Sequence, residues 1–135
     1  MSKTYFAKII AKDQQGLQVI SAHCSESKIN VNEIKYLKKN KIFLLSIQRI
    51  NRENNKSEDK INSILKFEYI NSSKSKNIDQ NNPDLVIELL AIDVFKIEQN
   101  YEITLLFSNN AIITLTAEII EVTLEDQKKL NDQNN

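Results

Sequence analysis

Apolar residues in this chain come in blocks of strand length, and only one block repeats at helical spacing. Thr4–Ala11 alternates with period two, Tyr5, Ala7 and Ile9 against Phe6, Lys8 and Ile10, and predicts a strand. Ile42–Ile50 is apolar on nearly both faces, as in a strand set centrally in a sheet. Ile64–Ile70 places Leu65, Phe67 and Tyr69 on one face. Leu85–Phe95 carries Leu85, Ile87, Leu89 and Ala91 on one side, with Val86, Leu90, Ile92 and Val94 also expected to be buried. The exception is Asp13–Glu26. There Leu17, Ile20 and Cys24 recur one helical turn apart, behind an aspartate whose carboxylate can accept from the free N–H groups of a first turn.

The connections carry their own signals. Asn109-Asn110 separates Tyr101–Phe107 from Ala111–Leu124 and predicts a tight hairpin, because asparagine tolerates positive φ. Ile113, Leu115, Ala117 and Ile119 share one parity, whereas Ile120, Val122 and Leu124 share the other. That change predicts a bulge or sharp bend near Ile119–Ile120. Ile29, Val31 and Ile34 suggest short extended pieces, and Lys35–Leu37 leads into a polar turn at Lys38–Lys41. Asn51–Asp59 and Asn71–Asp84 read as polar loops, the second ending in the turn signal Asn82-Pro83-Asp84. Glu125–Asn135 reads as a helical turn followed by a frayed polar tail. Together these predict an α+β domain: a curled, mainly antiparallel sheet of six to seven strands, at its most curved a half-open barrel, with one main helix at 13–26. With 135 residues the expectation is a single domain spanning 1–135.

Composition narrows the chemistry. A single cysteine rules out an internal disulfide and a cysteine metal cage, and suits a reducing cytoplasm. One glycine excludes a glycine-rich phosphate loop, and no His/Asp/Glu group has metal-ligand spacing, so no metal or cofactor is expected. Met1–Lys12 lacks the continuous apolar stretch of a signal peptide. No apolar run approaches the ~18–20 residues that span a bilayer, so no membrane role is expected. Ile, Lys and Asn supply 53 of 135 residues, as a base-biased genome would produce, and the asparagine clusters need no prion-like reading.

The neutral total hides a split. Residues 1–66 carry 13 Lys+Arg against 6 Asp+Glu, and residues 67–135 carry 5 against 12. The balances, +7 and −7, can orient the molecule against a charged partner or a second copy, or can be satisfied internally across strand pairs.

One stretch resembles a known family. GLQVISAHCSESKINVNEIKYLKKNKIFLLSIQRINRE, Gly16–Glu53, is similar to the opening half of the alphaproteobacterial domain-of-unknown-function 2948 family. Leu17, Val19, Ile20, Ser21, Ala22, His23, Tyr36, Leu37 and Arg49 fit its pattern. Pro83-Asp84, Leu89-Leu90-Ala91-Ile92 and Phe107 before a hairpin turn extend the likeness over nearly the whole chain. Cys24-Ser25-Glu26-Ser27 departs from the family's Leu-Gln-Asp-Ala, and Asn109-Asn110 replaces a glycine-rich turn. The resemblance implies a small bacterial protein without an assigned activity, and no catalytic residue is carried over.

The candidate residues are few. His23, the only histidine, is either a general base or a boundary residue that supports packing. Cys24 reads as a small buried hydrophobe. Lys35, Tyr36, Lys38, Lys39 and Lys41 would form a basic tip with an exposed ring able to hold phosphates and stack a base, or simply a solvated turn, and Arg49 is a further candidate binding residue. Glu88, Asp93 and Glu118 lie within apolar strands, where they either point outward from a half-exposed sheet face or share a pocket for acid–base work; a buried Asp93 would need a partner such as Arg49. The leading expectation is a non-catalytic module that binds a protein partner or itself through oppositely charged faces. The alternatives are a nucleic-acid-associated protein acting through the basic 35–41 turn, and a small enzyme with a pocket around His23 or Asp93.

Overall fold

The computed structural model describes residues 7–50 and 60–127. Among them lie one α-helix and ten strands: β1 (Lys8–Ala11), α1 (Gln14–Cys24), β2 (Ser27–Asn30), β3 (Ile34–Leu37), β4 (Ile42–Ile50), β5 (Lys60–Phe67), β6 (Ile70–Lys76), β7 (Val86–Ile97), β8 (Asn100–Phe107), β9 (Ile112–Ala117) and β10 (Val122–Asp126). The class is α+β with an antiparallel sheet, as the sequence predicts, with more strands than the six to seven expected. The predicted loop at Asn51–Asp59, the start of the first predicted strand and the tail beyond residue 127 lie outside the described residues.

Helix α1 is built as its sequence dictates. The Asp13 side chain accepts from the Gly16 N–H at 2.7 Å, and Leu17, Ile20 and Cys24 are all buried. Burial contributes about 1.5–3 kcal/mol for each large apolar side chain. That tertiary contribution matters, because an isolated helix of 11 residues is marginal in water. Gly16 has a packing reason: a Cβ there would lie 3.1 Å from Ala11 on β1. The Ser21 hydroxyl accepts from the Ile92 N–H at 2.9 Å and ties the helix to β7. No helix among the described residues is long and apolar enough to cross a membrane.

The strand order is β1-β10-β5-β4-β2-β7-β8-β9-β6, with β3 paired to β4 off that path. Two corners curl it. β5 runs into β6 through Glu68 and Tyr69, and β9 runs into β10 through residues 118–121. The pairings β5·β10 and β6·β9 are therefore two halves of one bent ladder, held at the bend by Glu68 N–H to Glu121 C=O and Glu118 N–H to Tyr69 C=O. The predicted parity change near Ile119–Ile120 is this corner: Ile119 is exposed and Ile120 is buried. The bend carries β6 back past the β3–β4 hairpin, where the Ile70 N–H donates to Lys41 C=O at 2.9 Å.

The differences from the sequence reading have local causes. Tyr69 adopts φ 60 at the corner, so the expected Ile64–Ile70 strand breaks; Tyr69 is exposed and Ile70 is buried. Residues 70–76, expected mostly as loop, form β6, in which only Ile70 is buried and Ser73 and Ser75 stand opposite the core residues Leu115 and Ile113. A bulge between Leu89 and Ala91 reverses the parity of β7, so Val86, Leu90 and Asp93 face out while Ile87, Leu89, Ile92 and Val94 are buried. Glu125 and Asp126 belong to β10 rather than to a polar tail. Asn109 and Asn110 both adopt positive φ in the β8–β9 hairpin, as their residue type predicts.

Candidate functional site

The curled sheet is not sealed. Among the described residues β6 pairs only with β9 and β3 pairs only with β4. A cleft of about 380 Å³ lies between these two strands. On β6, Ser73 is opposite Leu115 and Ser75 is opposite Ile113, so both serines share the face of buried core residues. A sealed barrel would set bulky apolar side chains at such positions. Serine is too small to fill the space, and the cleft results. Its floor is aromatic: Tyr36 packs on Phe43 with ring centroids 6.2 Å apart, and Phe43 packs edge-on against Phe67 at 6.1 Å. The Tyr36 hydroxyl donates to Ile70 C=O at 3.0 Å, and Gln80 Nε2 donates to the Ser75 hydroxyl at 3.0 Å, which sets two walls of the cleft. A larger concavity of about 550 Å³ lies outside the sheet over Lys28, Gln48 and Asn62. Its lining includes the buried Ile29, Ile47 and Ser63 but no aromatic side chain, whereas the seam offers two aromatic rings, so the seam is the better site for an apolar group.

The predicted site residues fall in three places. Lys35, Lys38 and Lys39 are exposed beside the seam, and the Tyr36 ring is half-buried against Phe43 in the cleft rather than fully exposed at a basic tip. Lys41 Nζ contacts Glu118 Oε1 at 3.0 Å, and this hydrogen bond and charge hold the Glu118 carboxyl below its usual range. His23 is half-buried on α1, with Nδ1 2.9 Å from Val19 C=O, and Asp93 is exposed on β7. Neither residue lines the seam or the outer concavity.

Arg49 is in the interior, and its carboxylate partner is Asp126 rather than Asp93. Both side chains are fully buried. Arg49 Nε donates to Asp126 Oδ1 at 2.9 Å and its terminal nitrogen to Oδ2 at 2.7 Å. Ser63 Oγ adds a bond to Oδ1 at 2.6 Å, and the Ala7 N–H adds one to Oδ2 at 2.7 Å. Burial alone would raise the Asp126 pKa; the bonds from Arg49, Ser63 and Ala7 outweigh it and hold the carboxyl below its ordinary value. This pair ties β4, β5 and β10 together in the core, a structural role. Nothing in the primary sequence marks the two residues as partners, since they lie 77 positions apart.

Nearby, burial pushes the Cys24 thiol up to about 12, against the opposing charge of Arg49 and with that of Asp126. At about pH 8 such a thiol holds almost no thiolate. The folded protein should therefore leave dithio-bis-nitrobenzoate unreacted, and one thiol should titrate rapidly once denaturant is added. Fast labelling of the native protein would contradict the burial.

Part of the charge split is matched internally. Lys8 faces Glu125 across β1·β10, Lys28 faces Glu88 across β2·β7, Lys41 meets Glu118, and Arg49 meets Asp126. Each pair joins a cation of the basic half to an anion of the acidic half, as cross-strand pairing favours. Lys35, Lys38, Lys39, Lys74 and Lys76 stay exposed, and none of them forms an ion pair among the described residues.

No curated protein and no solved structure matches this chain. The model of one family, described as a protein of unknown function, matches residues 7–134. Leu17, Ile20 and Arg49, three residues of the pattern read from the sequence, are core residues in this fold. The chain belongs to that family, DUF2948.

Proposed function

We propose that this chain is a non-catalytic binding module that receives its partner in the seam cleft. The observation behind this reading is the pair of serines on β6 that stand at inward positions and leave an aromatic floor open to the outside. A sheet optimised only for stability would fill that space, since unfilled apolar volume is destabilising. A protein partner, or a second copy of the chain, remains the preferred occupant, and a cytoplasmic setting is part of the proposal. The one cysteine is a buried free thiol, which suits a reducing compartment.

Filling the cleft tests the reading. Ser73→Phe should keep the fold, with a melting temperature equal to or above the native one. The native protein should take up the fluorescent apolar anion anilinonaphthalene sulfonate saturably, and the variant should lose that uptake. Equal uptake by both proteins, or none by the native one, would sink the proposal.

A further inference from the structure

The walls of the seam indicate what kind of partner it takes; this step rests on the cleft being the binding site. Each wall is a strand with one edge that pairs with no other strand among the described residues, β3 on one side and β6 on the other, although the Ile70 end of β6 is already held by Lys41 C=O and the Tyr36 hydroxyl. An unpaired edge presents a row of N–H and C=O groups, and an added strand satisfies them. Beyond Ile70, β6 still outruns the 4 residues of β3, so it is the longer template. Side chains of an added strand would point alternately into the cleft and away from it. The small Ser73 and Ser75 leave room for the inward ones over Tyr36 and Phe43.

Charge selects among such strands. Lys35, Lys38 and Lys39 lie on the β3 side, and Lys74 and Lys76 lie on β6. All five are exposed and without an ion pair among the described residues, whereas Lys41 is taken by Glu118. In the segments that supply most of the cleft lining, 31–41 and 73–84, the acids are Glu33, Asp79 and Asp84, fewer than these lysines. A rim with a positive excess attracts an acidic segment and speeds its encounter. We propose that the seam binds an extended acidic peptide segment, which adds a strand to the open edge of β6 and sets an apolar side chain over Tyr36 and Phe43.

The test uses the whole chain and a pool of fluorescein-labelled octapeptides with glutamates at both ends and randomised central positions, read by fluorescence polarisation. The acid-flanked pool should bind saturably, and a lysine-flanked pool should not. Methylation of alternate backbone nitrogens should abolish binding, because it removes the donors a strand needs. The double variant Lys74→Glu/Lys76→Glu, checked for its native circular dichroism, should bind about tenfold more weakly, and added salt should weaken the native complex. Binding that survives backbone methylation would overturn strand addition. Single-stranded DNA that binds more tightly than the peptides, and is lost in the same double variant, would overturn the peptide in favour of nucleic acid. Silence from every peptide while anilinonaphthalene sulfonate still enters the native cleft and not Ser73→Phe would remove the peptide and leave the binding site standing. Loss of both signals would remove both.

Discussion

Asp126→Ala should destabilise this protein by about 3–5 kcal/mol, the usual cost of breaking a buried ion pair. The change takes from the buried Arg49 guanidinium a carboxylate that it holds at two points, and leaves the Ser63 hydroxyl and the Ala7 N–H without their acceptor. A domain of this size has only about 5–15 kcal/mol in hand, so the variant should sit close to unfolding. Urea titration would show a lower midpoint with an unchanged slope. Replacing both partners with apolar residues, Arg49→Met with Asp126→Leu, should recover much of the loss, because two desolvated charges disappear together. A double variant as unstable as the single one would mean that the polar network specifies the packing of β4, β5 and β10. The sign of the pH dependence follows from the lowered Asp126 pKa. An unfolded aspartate titrates near ~3.9, so the native contribution is complete above that value and is lost as pH falls through the lower folded value. Asp126→Asn should show a shallower loss of stability on that acid limb. An identical acid limb in both proteins would refute the assignment.

Phe67→Ala should cost a similar amount, about 3–5 kcal/mol, through a different mechanism. Phe67 is fully buried at the end of β5, opposite Phe43 on one side and Val122 on the other, where the sheet turns its corner. Its ring meets Phe43 at 67°, an edge-to-face contact that adds about 0.5–1.5 kcal/mol beyond the buried area. Truncation leaves a cavity that a corner pinned on two strands cannot collapse to fill. The control is Phe95→Ala. That ring is 57% exposed on β7, and its loss should change stability by no more than about 0.5 kcal/mol. Equal effects from the two substitutions would mean that the core is placed wrongly.

Where one element's own residues decide its conformation, the sequence was legible. Asp13 and the Leu17, Ile20, Cys24 stripe specify α1 without help from distant residues. The double-faced apolar run of β4 and the Asn109-Asn110 turn are equally local. What depended on distant partners was not legible. The apolar neighbours of Asp93 leave its side of the strand open between an outward face and a pocket; the bulge between Leu89 and Ala91 settles it outward. Asp126 looked like part of a solvated tail, yet β10 is paired on both edges and closes over it. β6 is hidden in the sequence because past Ile70 its core-facing positions are serines; the alternation Ser73-Lys74-Ser75-Lys76 is a period-two signal written without hydrophobicity. The cleft was hidden for the same reason, since it is made by what those serines leave unfilled.

The bent ladder has a consequence for how the chain is made. Its most deeply buried ion pair joins Arg49 to a residue 77 positions later, and the Ala7 N–H waits for the same carboxylate across 119 positions. During synthesis the amino end emerges first, so α1 and the β3–β4 hairpin can form while β10 is still untranslated. Until Asp126 arrives, β1 has no strand beside it and β5 has only one. Contacts of such long sequence separation fold slowly, because loop closure must precede their reward. The edges of β1 and β5 therefore stay open until β10, the last strand among the described residues, is made and covers them.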